Sequence, residues 1–178
     1  HVYQKLYRQS FWRLGVIGMS AISAVEQALW DITAKDLGVP VYRLLGGRVR
    51  DKVRMYTHLG GGSMKAVYET FDVEPLIELA HSVIEEGYTA VKVVFVPYSE
   101  PLEGQTKVAR FASLMGRLRE AVGDEIDIMV DFHGRTYPGM AIRYISAIEE
   151  FQPYFCEEPV PPENVEALAE VRAATRVP

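Results

Sequence analysis

The chain has 178 residues, of which 48% are hydrophobic and 24% charged, and a formal net charge of −5. This composition excludes a disordered chain, and no apolar run reaches the ~18–20 residues needed to span a bilayer. No Lys/Arg cluster appears and the pI is near 5.4, so neither nucleic acid nor an anionic membrane is expected as a partner.

Residues 1–19 open His1-Val2-Tyr3, without Met. They mix aromatics and arginines (Tyr7, Arg8, Phe11, Trp12, Arg13) with weak periodicity. The opening suggests a piece of a longer protein. A helix is expected from Ser20 as N-cap, with Ile22, Val25, Leu29, Ile32 and Leu37 on its apolar stripe and Gly38 and Pro40 ending it. From Arg50 a repeating pattern begins. Residues 53–57 read as a strand, and Gly60-Gly61-Gly62 as a flexible run. Asp72 should cap a helix carrying Leu76, Leu79, Ala80, Val83 and Ile84, which Gly87 stops. Residues 89–96 read as a buried strand, 106–121 as a helix ended by Gly123, and 126–130 as the next strand. Residues 140–151 read as helix and 154–160 as strand, and Pro161-Pro162 opens a last helix through Val165, Leu168 and Val171. The single cysteine, Cys156, lies in that last strand. One cysteine excludes an internal disulfide framework and suits a reducing, cytoplasmic setting.

Four β-α repeats with near-continuous apolar strands argue for parallel strands buried on both faces. An open doubly wound sheet and a (β/α) barrel both satisfy the pattern. The triplet Gly60-Gly61-Gly62 lacks the G-x-G-x-x-G spacing of a dinucleotide site, which weakens the open-sheet cofactor reading.

Polar residues gather at two strand ends. Alternate strand residues share a face, so Asp131 and His133 would point the same way. Glu157 ends the following strand, and neighbouring parallel strands lie about 4.8 Å apart. Asp131 and Glu157 could then aim at one point on the C-terminal face, where such barrels hold their active sites. Two carboxylates that close repel or share a cation, and hard oxygen ligands suit Mg²⁺. The rival reading makes Asp131 a turn cap and Glu157 part of a solvated rim. His133 reads as a general acid or base, or as a histidine satisfied by a neighbouring carboxylate. Lys92, within Ala90-Val91-Lys92-Val93-Val94, either faces the carboxylates or snorkels to the surface. Cys156 reads as a small core residue and Trp30 as packing. His81 reads as solvated, and His58 has no partner in the pattern.

At Asp131-Phe132-His133-Gly134-Arg135 and Glu157-Glu158-Pro159 the chain resembles the enolase superfamily, in its mandelate racemase-like branch. Within that branch it is most similar to the galactonate dehydratase-type acid-sugar dehydratases. Supporting stretches are Ala21-Ile22-Ser23-Ala24-Val25-Glu26-Gln27-Ala28-Leu29-Trp30-Asp31-Ile32, Leu44-Leu45-Gly46-Gly47 and Val49-Arg50-Asp51-Lys52-Val53. The resemblance implies an α/β fold: a partial (β/α)7β TIM-like barrel of about the first four βα units, preceded by the helical end of an α+β capping domain. Residues 1–50 would be the end of that cap and 51–178 the first half of the barrel. It implies Mg²⁺ as cofactor, with Asp131 and Glu157 as metal ligands and His133 as the general acid toward the leaving hydroxyl. The implied reaction dehydrates an acid sugar (an aldonate) to a 2-keto-3-deoxy acid through an enediolate. Some relatives carry a Lys-x-Lys pair on the second strand. Here the second position is Val94, which argues against a lysine base and favours a histidine–acid base later in the barrel.

The resemblance also implies a third carboxylate ligand one repeat further on; Glu157 lies 26 residues beyond Asp131, so that ligand is expected near position 183, past Pro178. These residues alone are therefore expected to be inactive. The parent protein is expected to be a cytoplasmic homo-oligomer with a small-molecule acid sugar as its partner. The rival functions are an epimerase, a mannonate- or gluconate-type dehydratase, or a truncated, non-catalytic binding or scaffold protein.

Overall fold

Residues 1–19 show only weak periodicity, yet helix forms there as well as in the stretch expected from Ser20. The computed structural model describes residues 1–12, 15–60, 72–94, 96 and 99–178. It divides into two compact units, His1–Val53 and Arg54–Pro178. Arg13 of the aromatic–arginine stretch, Gly61 and Gly62 of the glycine run, and Phe95 of the second expected strand lie outside the described residues.

The first unit holds α1 (Val2–Gln9), α2 (Gly15–Asp36) and α3 (Val41–Leu44). The start of α2 corrects the expectation at Ser20, which lies inside the helix. Val16, Ile17 and Met19 continue the turn back to Gly15, whose φ of +58° makes the break. The C-terminal end follows the punctuation. Gly38 adopts φ +66°, and the Gly38 and Val39 amides donate to the Lys35 and Ala34 carbonyls at 3.1 and 3.0 Å. Of the expected stripe only Ile22 is buried; Leu29 is half-buried, and Val25, Ile32 and Leu37 are exposed. Apolar residues run around α2 on several sides, more surface than short neighbouring helices cover. Trp30, expected to pack, is 38% exposed.

The second unit alternates β1 (Thr57–His58), α4 (Glu74–Glu85), β2 (Ala90–Val93), α5 (Gln105–Val122), β3 (Asp127–Asp131), α6 (Pro138–Ile148), β4 (Phe155–Glu157) and α7 (Val165–Ala174). The sheet order is β1-β2-β3-β4, and every neighbouring pair is parallel. This is the order of consecutive strands in a (β/α) barrel. The strands are shorter than the apolar runs that announced them. Residues 53–56 are not strand, because pairing begins only where Thr57 meets Val91. Among the described residues of the β-branched run 89–96, strand covers Ala90–Val93, and 154–160 is strand only over Phe155–Glu157.

Local chemistry sets the helix starts. The Asp72 carboxylate accepts from the Glu74 amide at 3.1 Å, one residue ahead of the Val73 N-cap. Pro138 stands in the first turn of α6, where a missing N–H costs nothing. The last helix starts later than Pro161-Pro162, at Val165, because Asn164 caps it by accepting from the Ala167 amide at 3.0 Å. Val91 and Val93 of β2, and Ile128 and Val130 of β3, point to the helix layer and are fully buried. They meet Val108, Phe111, Met115 and Leu118 of α5 and Met140, Tyr144 and Ile145 of α6. The Phe111 ring lies edge-on to Phe132 and Tyr144, with centroids 5.9 and 5.2 Å away. Each such burial contributes about 1.5–3 kcal/mol. By alternation, the other sheet face receives His58, Lys92, Met129, Asp131, Phe155 and Glu157.

Candidate active site at the strand ends

Asp131 and Glu157 are the last residues of β3 and β4, and the register sets them directly opposite each other. Between them reaches Lys92 from β2. Its Nζ lies 3.1 Å from Asp131 Oδ2 and 3.0 Å from Glu157 Oε2. Of the two readings open for Lys92, the structure selects the one that faces the carboxylates. Burial disfavours its charge, but the hydrogen bonds to Glu157 and Asp131 outweigh that and hold its pKa above the ordinary lysine value. Side-chain exposure rises across the group, from 4% at Asp131 through 15% at Lys92 to 38% at Glu157.

His133 joins the group by a different route from the one expected. The strand stops at Asp131, so face alternation does not extend to His133. Instead, His133 takes φ +51°, a conformation that non-glycine residues rarely adopt. The turn is held by the His133 amide donating to Asp131 Oδ1 at 3.0 Å and the Gly134 amide donating to the Glu158 carbonyl at 2.8 Å. Gly134 also has φ +63°, and a Cβ there would stand 3.4 Å from Pro161 Cα. The turn places His133 Nε2 3.2 Å from Asp131 Oδ2.

Arg135 entered the sequence reading only as part of a motif. It is 7% exposed, and its guanidinium donates to the Val96 carbonyl at 3.2 Å and approaches His133 Nδ1 at 3.2 Å. His58 was also missed. It pairs in register with Lys92, and partial burial followed by the Lys92 charge lowers its pKa, which Asp131 partly offsets. The signal that identifies it is positional: His58 ends β1 as Asp131 ends β3 and Glu157 ends β4. Tyr56, two residues earlier, presents its ring centroid 5.5 Å from Lys92 Nζ. Cys156 packs against the core, and burial pushes its thiol up to about 12. His81 is exposed on α4.

A second polar group steadies the β2–α5 loop. The Glu103 side chain is 1% exposed and pairs with Lys107 at 2.6 Å. It accepts from the buried Tyr144 hydroxyl and, at 3.2 Å, from the Glu100 amide. Burial opposes its charge, but these bonds, that to Lys107 first, bring its pKa below the usual carboxylate value. Burial and then Glu103 push the Tyr144 phenol up.

Residues 75–178 match the family described as Enolase C-terminal domain-like, and residues 1–46 match the Mandelate racemase / muconate lactonizing enzyme, N-terminal domain. The chain belongs to the enolase superfamily. This enolase-superfamily chain is 38% identical over 177 residues to a D-galactonate dehydratase of Pectobacterium atrosepticum. It is also 38% identical over 178 residues to one of Xanthomonas euvesicatoria. In each case it covers 99% of its own length and 44% of the relative's. A crystal structure of an enolase-superfamily member from Salmonella Typhimurium superposes with a TM-score of 0.88 at 30% identity, over 99% of this chain and 49% of that one. A mandelate racemase/muconate lactonizing enzyme-like protein from Rubrobacter xylanophilus superposes with a TM-score of 0.87 at 34% identity, over 99% and 49%. The α/β architecture with its four parallel strands is therefore part of the family's barrel.

Among the described residues, no group of three or more His, Cys, Asp or Glu side chains is placed to hold a metal ion. Two carboxylates do converge: Asp131 and Glu157 already share one cation, the Lys92 ammonium. Hard oxygen donors on paired strand ends fit a hard divalent cation as two of its ligands. Among the described residues, no helix is long and apolar enough to cross a membrane.

Proposed function

We propose that this chain carries part of the active site of a Mg²⁺-dependent acid-sugar dehydratase, which converts an aldonate to a 2-keto-3-deoxy acid. The observation that carries the reading is the in-register pair of Asp131 and Glu157, with His133 Nε2 3.2 Å from Asp131. The relatives named D-galactonate dehydratase support the reaction class. Residues 1–50 would end a capping domain and 51–178 would begin the barrel, in a cytoplasmic homo-oligomer.

Asp131 and Glu157 would hold the cation. Bound there, Mg²⁺ would supply charge that favours loss of the proton next to the substrate carboxylate. The chain's own residues position the other groups. His133, exposed at the strand ends and fixed by the Asp131 turn, gives a proton to the departing β-hydroxyl, which leaves as water. Arg135 steadies the imidazole from its Nδ1 side. The base that takes the α-proton would come from a later barrel strand.

The test is a segment exchange. The matching 177 residues of the Pectobacterium D-galactonate dehydratase are replaced by this chain, and product 2-keto acid is assayed as its semicarbazone over a panel of aldonates. The chimera is expected to turn over at least one aldonate, and D131N or H133N to lower kcat at least about 100-fold. The 178-residue chain alone should show none. A folded, Mg²⁺-binding chimera that forms no 2-keto acid from any aldonate would falsify the reading.

A further inference from the structure

We propose that Lys92 is an internal counter-cation: its ammonium holds Asp131 and Glu157 together and is displaced when a divalent cation binds between them. The inference rests on the reading of Asp131 and Glu157 as cation ligands. Three observations carry it. The Lys92 ammonium touches one oxygen of each carboxylate, Asp131 Oδ2 at 3.1 Å and Glu157 Oε2 at 3.0 Å. These carboxylates stand opposite each other on paired strands, so they repel unless a positive charge lies between them. The neighbouring cation, Arg135, is engaged elsewhere, on the Val96 carbonyl and His133 Nδ1.

A divalent ion on the same pair would compete with Lys92 for those lone pairs and repel its charge. The ammonium has somewhere to go. The Tyr56 ring centroid already lies 5.5 Å from Nζ, and an aromatic face attracts a cation. A four-carbon stem lets the head swing while its root stays in β2. Lys92 would thus keep the carboxylate pair assembled before the metal arrives, at the cost of weaker metal affinity.

The experiment titrates the segment-exchange chimera, which supplies the remaining barrel strands, with Mn²⁺, read by water-proton relaxation. K92M, which keeps the stem and removes the charge, should bind Mn²⁺ at least about tenfold tighter than the unsubstituted chimera. K92R, which keeps the charge, should stay within about threefold of it. D131N should abolish saturable binding in either background. In the unsubstituted chimera, Mg²⁺ should shift the Lys92 Cε resonance with the midpoint of binding, a readout that holds even where K92M does not fold. Binding that D131N removes but K92M does not tighten overturns the Lys92 role alone. So does binding that leaves the Lys92 resonance unmoved, or a K92R chimera as tight as K92M. Binding that D131N leaves intact, or none at all, overturns the cation reading of the site and the proposal with it.

Discussion

The two ends of one parallel sheet use charge in opposite ways. At the N-terminal strand ends, cations bond mainly to backbone. Arg119 donates to the carbonyls of Gly123 at 2.8 Å, Ile126 at 2.6 Å, Phe151 at 3.1 Å and Gln152 at 3.3 Å. Arg54 donates to the Thr89 carbonyl at 2.8 Å and pairs with Asp127 at 2.6 Å. At the C-terminal ends, Lys92 bonds to side chains, lying between Asp131 and Glu157. A cation that satisfies carbonyls supports the fold, because its loss leaves polar groups without partners. A cation shared by two carboxylates can be exchanged without disturbing the backbone. Cations that bond to backbone lie at one end of the sheet and the proposed site lies at the other.

The contrast can be broken at either end. The largest effect is expected from E157Q in the segment-exchange chimera. Turnover should fall at least about 100- to 1000-fold, while the unfolding free energy of the 178-residue chain in urea changes by less than about 1 kcal/mol, because Glu157 is partly exposed and Lys92 keeps Asp131 as its partner. A stability loss as large as that of an N-terminal-end variant would erase the distinction. R119M should do the reverse. Orphaning several carbonyls should destabilise the chain by about 3 kcal/mol in urea unfolding, with R119K recovering only part because an ammonium lacks the guanidinium fork. Its Mn²⁺ affinity should stay unchanged.

E103Q sharpens the comparison through pH. The folded pKa of Glu103 lies below its ordinary value of 4.5. Its stabilisation is therefore complete above that value and lost as pH falls through the lower folded one. E103Q should cost about 2 kcal/mol at pH 7, and the gap should close in acid. An equal gap at both ends of the pH range would mean that shape, not charge, holds the loop. The smallest effect is expected from D127N. The Arg54–Asp127 pair is half-exposed on the arginine side, so thermal melts should show a loss below about 1 kcal/mol.

Much of the second unit was legible because its signals are local. The periodic spacing of Val108, Phe111, Met115 and Leu118 marks one helix face, and all four are buried in α5. Gly123 stops that helix with φ +75°. The near-continuous apolar runs marked β2 and β3 as buried, and Val91, Val93, Ile128 and Val130 are. What was misjudged depends on partners distant in the chain. Residues 53–56 have strand-like side chains, but a strand needs a neighbour's amides and carbonyls, and those begin at Val91. The stripe of α2 looked like a core face, yet Ile32 and Leu37 are exposed, because periodicity does not state what covers it. His58 had no sequence neighbour to reveal it. Its neighbour is Lys92, 34 residues on, reached through strand pairing.

By itself the sequence determined the order of elements in the second unit, the parallel β-α rhythm, and two carboxylates one repeat apart at strand ends. Those follow from short-range sterics and hydrophobic periodicity, which act within a few residues. Tertiary structure decided which side chains meet. The register set Asp131 opposite Glu157, and the sheet brought Lys92 between them. The left-handed turn at His133, rather than strand alternation, carried its imidazole back to Asp131. Charges separated by tens of residues interact only once the backbone ladder has fixed their distance, and that distance is not written in any local pattern.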